Sequence, residues 1–146
     1  MLAAYGHSSF TVSDLERSLD FYVNTLGMVM GRRWERVGPE IEGVTGVAGA
    51  RLKMASVQLG DFTLELIQYV GGAGVRLDPR INNVGAAHIA FTVKDIEKLC
   101  QELKRKGVRF YGTPTRLKNL WGGPDIVGVY ISDPDGATIE LVEAVR

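Results

Sequence analysis

Two histidines occur in this 146-residue chain, and they open the same stretch of an internal repeat. His7 begins His7-Ser8-Ser9-Phe10-Thr11-Val12-Ser13-Asp14-Leu15-Glu16-Arg17. His88 begins His88-Ile89-Ala90-Phe91-Thr92-Val93-Lys94-Asp95-Ile96-Glu97-Lys98. At the offset of 81 residues that carries position 7 to position 88, Phe, Thr, Val, Asp and Glu recur without a gap. A second echo lies downstream. Gly60-Asp61-Phe62-Thr63-Leu64-Glu65-Leu66-Ile67 matches Asp135-Gly136-Ala137-Thr138-Ile139-Glu140-Leu141-Val142, at the offset of 75 that carries 65 to 140. Each half thus supplies one imidazole near its start and one carboxylate near its end. Those are donors for a divalent transition metal, and a duplicated pair makes four of them.

The elements that must position these groups follow from periodicity and turn chemistry. Residues 3–12 alternate as a strand, with Phe10 and Val12 on one face and Tyr5, His7, Ser9 and Thr11 on the other. Ser13 and Glu16 have capping-box spacing ahead of a helical stripe of Leu15, Leu19, Tyr22 and Leu26, which Gly27 ends. Residues 28–37 read as a strand, and the Gly-rich 39–49 as a loop. Residues 52–59 and 62–70 read as strands around a tight Gly60-Asp61 turn. The second half repeats the order. A strand over 87–93 carries His88, and Asp95 caps a helix with Ile96, Leu99, Cys100 and Leu103 as its apolar stripe, ended by Gly107. Residues 108–111 are short and β-like, and strands over 126–131 and 137–142 flank the turn Asp133-Pro134-Asp135-Gly136.

The expected fold is α+β: two tandem βαβββ modules forming a curved mixed sheet around a metal-binding cleft. Module 1 is 1–70, a linker spans 71–85, and module 2 is 86–146, together one domain over 1–146. Alternation puts Leu64 and Leu66 opposite Glu65, Ile139 and Leu141 opposite Glu140, and Ile89 and Phe91 opposite His88. In each half the apolar face is expected to pack on the helix, and His and Glu to share the other face.

Composition narrows the partners. Lys+Arg and Asp+Glu balance at 17 each, so no strong field points to nucleic acid or an anionic membrane. No apolar run approaches the ~20 residues of a membrane span. The first residues, Met1-Leu2-Ala3-Ala4-Tyr5, lack the basic and apolar regions of a signal peptide. Cys100 is the single cysteine, so no internal disulfide forms and a cytoplasmic setting is expected. The absence of a thiolate cluster also argues against a closed structural zinc site.

Taken in order, these pieces resemble the vicinal oxygen chelate superfamily, which includes glyoxalase I, methylmalonyl-CoA epimerase, type I extradiol dioxygenases, and fosfomycin and bleomycin resistance proteins. The resemblance rests on His7 with Asp14-Leu15-Glu16-Arg17-Ser18-Leu19-Asp20-Phe21-Tyr22 and Leu26-Gly27-Met28; on Leu64-Glu65-Leu66; on His88-Ile89-Ala90-Phe91; and on Asp133-Pro134-Asp135-Gly136 before Ile139-Glu140-Leu141. It implies that His7, Glu65, His88 and Glu140 are metal ligands for Ni²⁺, Co²⁺, Zn²⁺, Mn²⁺ or Fe²⁺. It implies that Glu140 is the leading catalytic base, with Glu65 its counterpart. It also implies a homodimer.

The activity so implied is that of a divalent-metal-dependent isomerase or lyase, working through a metal-stabilised enediolate on a small 2-oxo, thiohemiacetal or acyl-thioester substrate. The nearest members by resemblance are glyoxalase I and methylmalonyl-CoA epimerase. The chain departs from both. Glu65-Leu66-Ile67-Gln68-Tyr69 lacks the Asn that glyoxalase I has after its second ligand, and Val47-Ala48-Gly49-Ala50-Arg51 lacks the epimerase's extra base. A dioxygenase of the same superfamily, or a protein that sequesters a ligand without chemistry, are the alternatives. No third His is present for the dioxygenase's acid–base role. Arg32-Arg33, Arg51, Lys53 and Lys118 are candidates for an anionic substrate tail, though surface solubilisation accounts for most such residues. Trp121-Gly122-Gly123-Pro124 is a candidate lip over the cleft.

Overall fold

A computed structural model describes residues 1, 3–118 and 122–145. Trp121 of the candidate lip lies outside the described residues. The chain forms two compact units, Met1–Arg76 and Leu77–Arg146.

The first unit runs β1 (Ser8–Thr11), α1 (Leu15–Leu19) continued by a π-helical turn (Asp20–Thr25), β2 (Val29–Val37), α2 (Pro39–Thr45), β3 (Arg51–Leu59) and β4 (Phe62–Gly71). Its strands lie in the order β1-β4-β3-β2, with β1 parallel to β4 and the other neighbours antiparallel. The second unit runs β5 (His88–Thr92), α3 (Ile96–Arg105), β6 (Thr115–Leu117), β7 (Ile126–Ser132) and β8 (Thr138–Ala144). Its order is β5-β8-β7-β6, again with only the first pair parallel. The architecture is therefore α+β, a tandem of βαβββ modules, each with its own four-stranded mixed sheet.

Period-2 alternation builds both cores. In the first unit Leu64, Leu66, Ala55 and Val57 are buried with Val12, Leu15, Leu19 and Tyr22. In the second, Ile139, Leu141, Val129 and Ile131 are buried with Ile96, Cys100 and Leu103. Each such large apolar side chain contributes roughly 1.5–3 kcal/mol on burial.

The helices are fastened to their sheets by a repeated device. Gln68 Oε1 accepts from the Leu15 N–H at 3.1 Å, and Gln68 Nε2 donates to the Ser13 carbonyl at 3.1 Å. At the matching place Glu143 accepts from the Asp95 and Ile96 N–H groups at 2.8 and 2.9 Å. Leu15 and Ile96 are related by the offset of 81, and Gln68 and Glu143 by the offset of 75. A β-strand side chain thus satisfies N–H groups that a helix start leaves unpaired.

Several local expectations are corrected. The first strand is Ser8–Thr11, shorter than 3–12, because those four residues pair with Leu64–Ile67 and β4 begins only at Phe62. The helix cap is Asp14, whose Oδ1 accepts from the Arg17 N–H at 3.0 Å, and not Ser13. Glu16, freed from a capping box, pairs with Arg33 on β2. The stripe 15–26 is only partly α-helical. Leu26 N–H reaches back five residues to the Phe21 carbonyl, and the stretch buries both Phe21 and Tyr22, ring edge against face. The supposed loop 39–49 contains α2, started by Pro39 and closed by Gly46 at φ 68°. The segment 108–111 forms only a single bridge, Phe110 with Ile131, and the edge strand is Thr115–Leu117 instead.

Candidate metal centre

Each unit brings its own histidine and glutamate together. His7 stands one residue before β1, and Ser9, two residues on, is registered against Glu65 of β4. His88 opens β5, and Ala90, two residues on, is registered against Glu140 of β8. Side chains two apart on a strand share a face, so both pairs form by the same rule. The His7 Nε2 to Glu65 Oε2 distance is 3.4 Å, and the His88 Nε2 to Glu140 Oε2 distance is 3.3 Å. Exposure matches as well. The histidine side chains are 49% and 46% exposed, and the glutamates 14% and 20%. Both carboxylates are therefore mostly out of water, and each needs a partner for its charge.

The donor set fits a divalent transition ion. Two ligands ~2.1 Å from a shared ion on adjacent vertices stand about 3.0–3.4 Å apart. The two His–Glu separations fall in that range. Each also combines a borderline nitrogen donor with a hard oxygen donor, the mixture suited to Zn²⁺, Ni²⁺, Co²⁺, Fe²⁺ or Mn²⁺. Among the described residues, no three His, Cys, Asp or Glu side chains come together, and each unit pairs one His with one Glu.

The surroundings of the two pairs differ. Across the antiparallel ladder Glu65 faces Ser56 and Glu140 faces Tyr130. The Tyr130 ring lies 5.2 Å from the His88 ring, tilted by 44°. Tyr130 was not singled out from the sequence. Its only signal there is a place in β7, and the register that aims it at His88 is a property of the folded sheet.

Of the remaining candidate cations, Arg32, Arg33, Arg51 and Lys53 lie in the first unit and Lys118 in the second. Arg32 stacks over Trp34 at 4.5 Å, and Arg33 is held by Glu16, with Nη1 donating to Oε2 at 3.3 Å. Arg51 and Lys53 are exposed on β3, and Lys118 is exposed beyond β6.

A family model described as Glyoxalase/Bleomycin resistance protein/Dioxygenase superfamily matches residues 4–141. The chain belongs to this superfamily. The glyoxalase-superfamily chain is 32% identical over 139 residues to the lactoylglutathione lyase of Salmonella typhimurium, covering 94% of this chain and 90% of that one. Its structure resembles that of a glyoxalase family protein from Bacillus cereus, with a TM-score of 0.85 at 22% identity, over 100% of this chain and 97% of that one. It also resembles the fosfomycin resistance protein FosX from Listeria monocytogenes, with a TM-score of 0.62 at 15% identity, over 99% and 96% of the two chains. At such identities the structural likenesses establish the fold. No helix of the described residues is long and apolar enough to cross a membrane.

Proposed function

We propose that this superfamily member is a divalent-metal-dependent lyase that isomerises the hemithioacetal of a small 2-oxoaldehyde and glutathione into a thioester. One observation carries the reading: two His–Glu pairs, repeated in sequence and equal in separation, each spaced as neighbouring ligands of one ion. The 32% identity to a lactoylglutathione lyase supports the lyase over the other chemistries of the superfamily.

In this reading His7, Glu65, His88 and Glu140 are the residues that would hold the divalent ion. When bound, that ion supplies a Lewis-acid charge beside the substrate's neighbouring oxygens. The proton work falls to the chain. Glu140 takes the proton from the carbon that bears sulfur and returns it to the adjacent carbon. The hydroxyl proton moves to the neighbouring oxygen, so atoms and charge balance. Glu65 is the counterpart of Glu140 on the first pair.

The test loads the purified protein with Ni²⁺ or Co²⁺, measures bound metal, and adds methylglyoxal with glutathione in D₂O. Thioester formation is the expected result. Bound metal without thioester overturns the lyase reading. Deuterium exchange into a 2-methyl-branched acyl-CoA would then point to an epimerase.

A further inference from the structure

The strand registers assign each ladder position around Glu140 a counterpart around Glu65, so an asymmetry between the two pairs stands out. Tyr130 on β7 corresponds to Ser56 on β3, since each is registered against its glutamate. Two residues earlier, Gly128 corresponds to Met54. The first pair is therefore flanked by Met54, a bulky side chain that is itself buried. Its facing residue, Ser56, has no ring to offer, and its hydroxyl accepts from the Arg32 N–H at 3.1 Å. The second pair has the opposite arrangement. A ring lies against its histidine, and the residue two before that ring, Gly128, brings no side chain toward the carboxylate. A Cβ placed at Gly128 would stand 3.8 Å from Glu140 Oε1, with the Leu141 carbonyl oxygen equally near.

From this we infer that Gly128 and Tyr130 are positioning residues that make the second pair the working half of the site: Tyr130 fixes His88, and the notch at Gly128 gives the Glu140 carboxylate room to change rotamer. The inference rests on the metal-dependent reading above. A carboxylate that both holds an ion and carries a proton must rotate between staggered wells, and rotation needs empty volume on one side. Beside Glu140 the corresponding ladder position is the side-chain-free Gly128, whereas in the first unit that position carries the Met54 side chain. A histidine ligand gains from the reverse. A ring held by its neighbours presents its nitrogen in one direction, and such outer partners are typically worth ~10–100-fold in metal affinity.

The test uses Co²⁺ as the probe and two readouts, one of them independent of turnover. The first is the Co²⁺ dissociation constant together with the rate of Co²⁺ release to excess chelator. The second is kcat and KM for the methylglyoxal–glutathione hemithioacetal. Gly128→Met copies the first half. It is expected to keep Co²⁺ affinity within about threefold, to slow release about fivefold or more, and to lower kcat about tenfold with KM little changed. Met54→Gly should speed release, by freeing Glu65. Tyr130→Ala should weaken Co²⁺ at least tenfold, and Tyr130→Phe should restore it, since the ring and not the hydroxyl faces His88.

Unchanged release in both Gly128→Met and Met54→Gly overturns the inference, as does full affinity in Tyr130→Ala. Loss of Co²⁺ binding in Gly128→Met also overturns it, by reducing Gly128 to a spacer. A starting protein that binds Co²⁺ but makes no thioester sinks the lyase reading alone, because release and affinity still decide the roles of Gly128 and Tyr130. A starting protein that binds no Co²⁺ sinks both.

Discussion

At the scale of single residues, Glu140 separates holding from reacting. Glu140→Gln keeps an amide oxygen for the ion but cannot accept a proton. It should retain most bound metal and lose ~10²–10⁴-fold in kcat, read by steady-state kinetics beside elemental analysis. A matching loss of metal would instead make Glu140 a ligand only. Cys100 gives a contrasting case. Burial pushes its thiol pKa up, against a smaller opposite pull from Lys104, so little thiolate forms at neutral pH. It should react with a thiol reagent only at the rate of unfolding; rapid labelling of the native chain would contradict the packing of α3. The ligand candidates were legible at this scale because alternation fixes faces: Glu65 and Glu140 stand opposite buried Leu64, Leu66, Ile139 and Leu141. Tyr130 and Gly128 were not legible. Their importance comes from register across β7 and β8, which neighbouring residues along the chain do not encode.

At the scale of elements, the repeated helix fastening is a stability device with a measurable asymmetry. In the first unit a neutral Gln68 makes two bonds, accepting from the Leu15 N–H and donating to the Ser13 carbonyl, and in the second a Glu143 carboxylate accepts two N–H groups. Hydrogen bonds to charged groups are roughly twice as strong as neutral ones. Gln68→Ala should therefore destabilise by about 1 kcal/mol, and Glu143→Ala by about 2 kcal/mol, read from denaturant midpoints. Equal effects would show that the Glu143 charge adds nothing. This device escaped sequence reading because its partners lie 53 and 47 residues apart. The strongly periodic segments were legible: β3, β4, β7, β8 and α3 fall within one or two residues of expectation. Where a signal was local but misweighted, the element was missed. Gly-richness hid the Pro39 start and Gly46 stop of α2, and a stripe at α-helical spacing said nothing of the π turn after Leu19.

At the scale of the molecule, metal stoichiometry measures how many ions the two pairs serve. As candidate ligands, the two His–Glu pairs permit either one ion with four protein ligands or two weakly held ones with two each. A site with only two protein ligands leaves most of an ion's coordination to water, so it binds loosely, whereas four ligands bind it firmly. We expect one ion per chain, lost in full from His7→Ala and from His88→Ala alike, by elemental analysis after dialysis. Retention of half the metal in each variant would show two independent sites. We also expect a homodimer, since β2 is a nine-residue edge strand with Val29 and Val37 largely exposed, and uncovered edges of that length invite pairing. Sedimentation at micromolar concentration reads this directly, and a monomer contradicts it. The two variants then combine into a sharper measurement. If each ion is held by the first unit of one chain and the second unit of its partner, unfolding and refolding His7→Ala with His88→Ala chains creates mixed dimers. Each mixed dimer has one intact set of four ligands and one doubly damaged set. Metal binding should reappear in the mixture, up to one ion per mixed dimer. If all four ligands come from one chain, every chain in the mixture lacks a histidine, and no mixing ratio restores the ion.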